Sequence, residues 1–171
     1  MDPTNPAIWY AGEASRGIWK STNRGTTWTN LFDNFLQIGV SGIAIVANDT
    51  NIIYITPGDD DAGDSFSIGV YQSIDAGTTW TEAGLGPTAV ANWGNNSLMS
   101  DITIDPSNSD IIWVATYFGL FMGCLNIWKS GDGGSSFTQL NQRFSNSERY
   151  TNADIHALKF HNRNQLYFGS F

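Results

Sequence analysis

Cysteine is nearly absent from this 171-residue chain, and the single Cys124 excludes an internal disulfide and a multi-cysteine zinc site. Basic residues are scarce as well: eight Lys+Arg stand against sixteen Asp+Glu, a formal net charge of -8. A phosphate lattice needs clustered Lys and Arg, so nucleic acid and anionic membrane are excluded as main partners. No apolar run approaches the roughly 20 residues of a spanning helix, so no membrane insertion is expected. The amino end, Met1-Asp2-Pro3-Thr4-Asn5-Pro6, has neither the basic nor the apolar region of a signal peptide. That leaves a cytosolic protein, or one whose export signal lies outside these residues. No long segment keeps a helical period. What the chain does have is 13% aromatic residues, with 7 Trp and 10 Phe, which rules out disorder. Its length would by default make one domain around one core.

It also repeats itself. Ser21-Thr22-Asn23-Arg24-Gly25-Thr26-Thr27-Trp28 shares one frame with Ser73-Ile74-Asp75-Ala76-Gly77-Thr78-Thr79-Trp80 and with Ser130-Gly131-Asp132-Gly133-Gly134-Ser135-Ser136-Phe137. The common pattern is Ser-x-(Asp/Asn)-x-Gly-x-(Ser/Thr)-(Trp/Phe), spaced 52 and then 57 residues apart. A second element recurs out of phase with the first. Polar clusters at 2–6, 48–51, 105–110 and 161–165 each lead into a β-branched or aromatic run, which reads as turn then strand.

One unit therefore reads as four strands: A (Ile43–Val46), B (Ile52–Thr56), C (Gly69–Ser73) and D (Thr79–Glu82). A four-stranded antiparallel unit of this period fits a β-propeller blade. A β-sandwich also has short regular strands, but it does not explain the same turn returning three times in frame. The chemistry of that turn is structural. Asn23, Asp75 and Asp132 accept hydrogen bonds from their own turns, Gly25, Gly77 and Gly134 tolerate positive φ, and Trp28, Trp80 and Phe137 staple the turn to the sheet. A catalytic carboxylate would not be needed once per blade, so Asp75 and Asp132 are expected to be turn formers.

The octapeptides resemble Asp-boxes (BNR repeats), which occur in propellers of the sialidase, sortilin (VPS10-type) and family 74 glycoside hydrolase groups. Ser73–Trp80 matches the pattern throughout, while the first copy carries Asn23 for Asp and the third Phe137 for Trp. The segments Asp2–Gly12 and Gly17–Thr22 are similar to secreted Bacteroidetes propellers exported by the type IX system. That likeness implies a bacterial, secreted or cell-surface protein with no known cofactor. It implies protein or carbohydrate ligands and a non-enzymatic binding, adhesion or scaffold role.

The expected fold is all-β, with blades of four antiparallel strands and Asp-box C–D hairpins. Residues 1–30 would be an incomplete first blade, 43–82 the second, 102–139 the third and 155–171 the start of a fourth. About three and a half blades do not close a ring, since propellers take roughly 4–8. The chain is therefore expected to be part of a larger propeller of seven blades or more, completed by the rest of its own polypeptide.

In a meander the A–B and C–D turns share one end, leaving the B–C and inter-blade loops at the other, where binding is expected. Candidate residues there are Glu13 and Arg16 in the first B–C loop, and Asp59, Asp60, Asp61 and Asp64 in the second. The third loop, Tyr117–Cys124, offers Tyr117 and Phe118, with Cys124 a small hydrophobe rather than a nucleophile. Asp59, Asp61 and Asp64 are a weak Ca²⁺ candidate, without the spacing of an EF-hand loop; a solvated acidic loop is the plainer reading. Trp93, beside Asn95 and Asn96, suits sugar stacking. Asp154 and His156 lead into the fourth strand A and offer an acid/base pair or metal ligands, with a hydrogen bond across the channel mouth the plainer reading.

The second functional reading is a glycoside hydrolase of the family 74 type, whose chemistry needs two carboxylates across a sugar cleft. None of the loop acids has an evident partner. Sialidase activity by the resemblance needs three substrate-binding arginines, a Tyr nucleophile and a Glu, and it is disfavoured: the chain has five Arg in all and no Phe-Arg-Ile-Pro.

Overall fold

The computed structural model describes residues 1–14, 16–31, 39–58, 66–89, 97–118, 124–140, 157–161 and 165–169. At 97, 117, 118, 124, 125 and in the last two ranges the description is of backbone alone. Among the described residues every regular element is a strand. The first sheet holds β1 (Trp9–Glu13), β2 (Gly17–Ser21) and β3 (Thr29–Asn30). The second holds β4 (Val40–Ile45), β5 (Ile53–Pro57), β6 (Tyr71–Ser73) and β7 (Thr81–Glu82). The third holds β8 (Ser97–Asp105), β9 (Asn108–Phe118), β10 (Cys124–Ser130) and β11 (Thr138–Gln139), and β12 (Ala157–His161) pairs with β13 (Gln165–Gly169). Within every sheet, consecutive strands are antiparallel neighbours, the meander of a propeller blade.

The inner strands run continuously apolar because both of their faces are covered. In β5 all five residues are buried, and alternate side chains serve different interfaces. Ile53 and Ile55 join Ile18 and Val40 between the first and second sheets, with Tyr10, Leu31, Tyr71 and Trp80 packed around them. Tyr54 instead joins Val70, Leu85, Ile112, Val114 and Trp128 between the second and third. The core is thus a series of sheet-to-sheet seams, each fully buried Ile contributing about 1.5–3 kcal/mol.

Two seams are also stitched at the repeated turns. Tyr10 Oη (3.4 Å) and Lys20 Nζ (3.1 Å) donate to the carbonyl of Ala76, and Lys20 Nζ lies 5.4 Å from the centroid of the Tyr10 ring. One sheet on, Tyr54 Oη donates to the carbonyl of Gly133 at 2.8 Å and accepts from Gln72 Nε2 at 2.7 Å.

Several boundaries differ from those the sequence suggests. Strands C and D of the second sheet shrink to β6 and β7. Residues 97–101, expected in a connection, belong to β8, and Glu13 ends β1 rather than lying in the loop. Tyr117, Phe118 and Cys124, expected in the third loop, are strand residues: Tyr117 pairs with Leu98 and Leu125, and Phe118 with Ser97 and Cys124. The reason lies in Ile111–Phe118, an unbroken run of β-formers and alanine in which no glycine or proline stops the ladder until Gly119.

A shared irregularity was not legible in the sequence. The register of β4 on β5 shifts between Val40 and Gly42, and that of β8 on β9 between Met99 and Asp101. Each bulge centres on a serine, Ser41 or Ser100. The first is held by Ser41 Oγ, which donates to the Thr56 carbonyl at 3.1 Å. Beside the second, Asp101 Oδ1 accepts the Ile102 N–H at 2.8 Å. Bulges of this kind add twist at a strand that carries the seam.

Candidate functional site

The three octapeptide turns are built alike. In the second, Ser73 Oγ accepts the N–H groups of Asp75 (3.2 Å) and Gly77 (2.8 Å) and donates to Asp75 Oδ1 at 2.8 Å. Asp75 Oδ1 also accepts the Thr79 N–H at 2.8 Å, and Oδ2 accepts the Thr79 hydroxyl at 2.7 Å. Ser130, Asp132, Gly134 and Ser136 repeat the set, with the Ser136 hydroxyl 2.6 Å from Asp132 Oδ2. The fourth and fifth positions are left-handed in every copy: Arg24 and Gly25 (φ 58° and 82°), Ala76 and Gly77 (58° and 92°), Gly133 and Gly134 (66° and 81°).

These bonds decide what the two aspartates do. The Thr79 hydroxyl and amide pull the Asp75 carboxyl down to about 2, and those of Ser136 do the same for Asp132. A carboxylate ionised to such low pH and engaged at both oxygens has no proton to give a leaving group at neutral pH. In the first turn Asn23 Oδ1 keeps the backbone bond to Thr27 N at 2.8 Å. Its Nδ2 donates to the Thr27 hydroxyl, where a carboxylate would accept. The turn geometry therefore survives the change from acid to amide.

At the opposite end, Glu13 and Arg16 are exposed on either side of the β1–β2 loop, with Arg16 Nε 4.0 Å from Glu13 Oε1. Such a surface pair contributes little to stability. Tyr117 and Phe118 close β9 at this same end. Asp59, Asp60, Asp61, Asp64, Trp93, Asp154 and His156 lie outside the described residues, and the Ca²⁺ candidate lies there with them. Among the described residues no three of His, Cys, Asp and Glu converge on a point that would hold a metal.

The sequence singled out nothing at one further feature, a cavity of about 590 Å³ at the end that carries the turns. Its walls include Tyr10, Ile43, Ile45 and Ile104, and the polar turn residues Asn48, Asp105 and Asn108. Burial, with the Asp2 carboxylate adding to it, pushes the Tyr10 phenol up to about 12. Burial raises Asp105, but bonds from the Ser107 hydroxyl and amide outweigh it and leave that carboxyl low. The phenol thus stays protonated and the acid ionised, and nothing here is poised for proton transfer near neutrality. The only signal was the recurrence of the Asp/Asn-rich A–B turns, which specifies turns without saying that they ring a hollow.

No protein-family model matches the chain. It is 26% identical over 145 residues to a xyloglucanase of Hypocrea jecorina, a match covering 81% of this chain and 17% of the xyloglucanase. The crystal structure of an ancestral GH74 enzyme superposes with a TM-score of 0.74 at 20% identity, covering 99% of this chain and 21% of that one. The chain thus spans about a fifth of the length of the proteins it resembles, and its sheets have the fold of a stretch of a GH74 β-propeller.

Proposed function

We propose that the chain is a stretch of a secreted glycoside hydrolase of the family 74 type that acts on a xyloglucan-like polysaccharide. The identity of 26% to a xyloglucanase, sustained over 81% of the chain, carries this reading. The shared fold supports it. Taken alone, the sequence leans to a non-enzymatic adhesion module, because no acid in it has a partner across a cleft. The comparisons favour the hydrolase and add nothing to the adhesion role.

On this reading residues 1–30, 43–82, 102–139 and 155–171 belong to successive blades, and the octapeptides are Asp-boxes that rigidify them. The rest of the polypeptide closes the propeller and supplies catalytic acids. Glu13, Arg16, the acidic loop with Asp59, Asp60, Asp61 and Asp64, Trp93, Tyr117, Phe118, Asp154 and His156 form a polysaccharide-facing end.

Reducing-end release by the full polypeptide, on xyloglucan and on sialyl-lactose, tests the proposal. Turnover of xyloglucan alone is expected. Binding of xyloglucan without turnover would restore the adhesion reading, and a polypeptide that neither binds nor cleaves it would overturn the substrate class.

A further inference from the structure

The two bulges differ in a way the fold does not require. Both lie on the edge strand that opens a sheet, β4 or β8, and these two strands pack against one another. Gly42 pairs with Thr56 as Asp101 pairs with Ala115, so the four residues hold equivalent places. In the second sheet the bulge is closed on itself. Ser41 Oγ donates to the Thr56 carbonyl at 3.1 Å and lies 3.0 Å from Thr56 Oγ1. Thr56 fits only because its partner is glycine: a Cβ at Gly42 would stand 2.8 Å from Thr56 Oγ1. The third sheet makes the opposite choice. Asp101 has a side chain where Gly42 has none, and Ala115 brings no hydroxyl. Ser100, only 9% exposed, is left with no hydrogen bond to its Oγ. Every other polar side chain buried to this degree among the described residues has one. The Ser100 oxygen is not sealed in, as the unpaired indole nitrogens are, but still touches solvent.

We infer that Ser100 and Asp101 form a ligand contact on the inner edge of the third sheet, one that takes two neighbouring hydroxyls of a neutral sugar. A serine hydroxyl donates and accepts, whereas a carboxylate only accepts, so the pair suits a diol that does both. Asp101 Oδ1 takes the Ile102 N–H at 2.8 Å, which fixes the carboxylate against the backbone. The bulge interrupts the alternation of faces along the strand, so two consecutive residues can serve one ligand. An anionic sugar would be repelled by the carboxylate. A metal ion would lack ligands, since no third acid, histidine or cysteine joins Asp101 among the described residues. The pair lies on the half of β8 that starts at Ser97, opposite Phe118, and so toward the end where the β1–β2 loop also lies. The choice of ligand rests on the polysaccharide reading above.

Calorimetric titration of the full polypeptide with xyloglucan oligosaccharides, with Tm measured alongside, tests the contact. Ser100→Ala is expected to weaken binding about fivefold and leave Tm in place, because no internal bond is lost. Ser41→Ala removes a hydroxyl that is bonded internally, and should lower Tm without changing affinity. The double variant Asp101→Gly/Ala115→Thr rebuilds the second sheet's bulge in the third, so it should fold while its new threonine captures Ser100. Its affinity is expected to fall about tenfold or more. A Ser100→Ala polypeptide that binds like the parent, or loses as much Tm as Ser41→Ala, overturns the contact, as does a double variant of parental affinity. Cellohexaose as a second probe separates the contact from the substrate class. Binding of cellohexaose in place of xyloglucan oligosaccharides, weakened by Ser100→Ala, would keep the contact and remove the xyloglucan reading. A parent polypeptide that binds neither overturns the contact.

Discussion

The first octapeptide turn and its two successors share their internal bonds, save the reversed one at Thr27, but differ in surroundings. Gly25 lies between the rings of Trp9 and Trp28, with distances of 3.4 and 3.5 Å from its would-be Cβ, and those rings are 38% and 39% exposed. Gly77 and Gly134 are pressed against the preceding sheet, by Leu31 and by Tyr54 respectively. Trp80 and Phe137 are packed into the seams, whereas Trp28 faces outward. The turn is therefore a self-contained hydrogen-bonded unit, and its aromatic is covered where a preceding sheet lies against it.

Adding a methyl group at the glycine should separate the two situations most sharply. In Gly134→Ala the new Cβ would sit 2.9 Å from Tyr54 Cε1 at φ +81°, so strain and overpacking combine. A loss of about 3 kcal/mol is expected by chemical denaturation. Gly25→Ala meets only half-exposed rings and should lose about 1–2 kcal/mol, the backbone cost alone. Equal losses would mean that the preceding sheet does not press on the turn.

Truncating the aromatic comes next. Trp80→Ala removes a ring from the first seam and should cost about 2–3 kcal/mol. Trp28→Ala removes one with little cover and should stay within about 1 kcal/mol, the comparison again being thermal or denaturant unfolding.

The stitches give a smaller contrast. Tyr54→Phe breaks a 2.8 Å bond to Gly133 and leaves Gln72 without its acceptor, for an expected loss of about 1 kcal/mol. Tyr10→Phe breaks a 3.4 Å bond to a carbonyl that Lys20 still serves, so its Tm should barely move.

How much of this was legible depends on whether the cause is local. The octapeptides and the β-branched runs after each polar cluster carry their instructions in adjacent residues, and strands and turns followed from them. The bulges at Ser41 and Ser100 do not, because a serine in a strand has no distinguishing pattern until its partner strand is placed. Tyr10 and Tyr54 read only as strand aromatics, and their shared task needs the register and the next sheet. The end of β9 is hidden in the sequence because Tyr117 and Phe118 look like an apolar loop when only the glycines after them are counted. Glu13 and Arg16 do lie at the loop end, and whether they meet a ligand depends on loops from other sheets, which no single segment encodes.

Acid should produce the smallest difference, and it tests the turn without disturbing packing. Asp75 and Asp132 titrate near 3.8 when free and at about 2 in their turns. A depressed carboxyl stabilises the fold above the free value and gives that contribution up as the pH falls toward the bound one. Their share should thus be full above about pH 5 and fade between about pH 4 and 2. Asn23 carries no such charge, so the first turn should hold its amide protection through that window while the other two lose theirs. Asp75→Asn should transfer the first turn's behaviour to the second, because an amide keeps the bond from Thr79 N and reverses only the one to the Thr79 hydroxyl. Hydrogen exchange at the amides bonded to these side chains, Thr27, Thr79 and Ser136, between pH 5 and 2.5 would measure it. Parallel loss at all three would mean that the acid sensitivity arises in the seams rather than in the carboxylates.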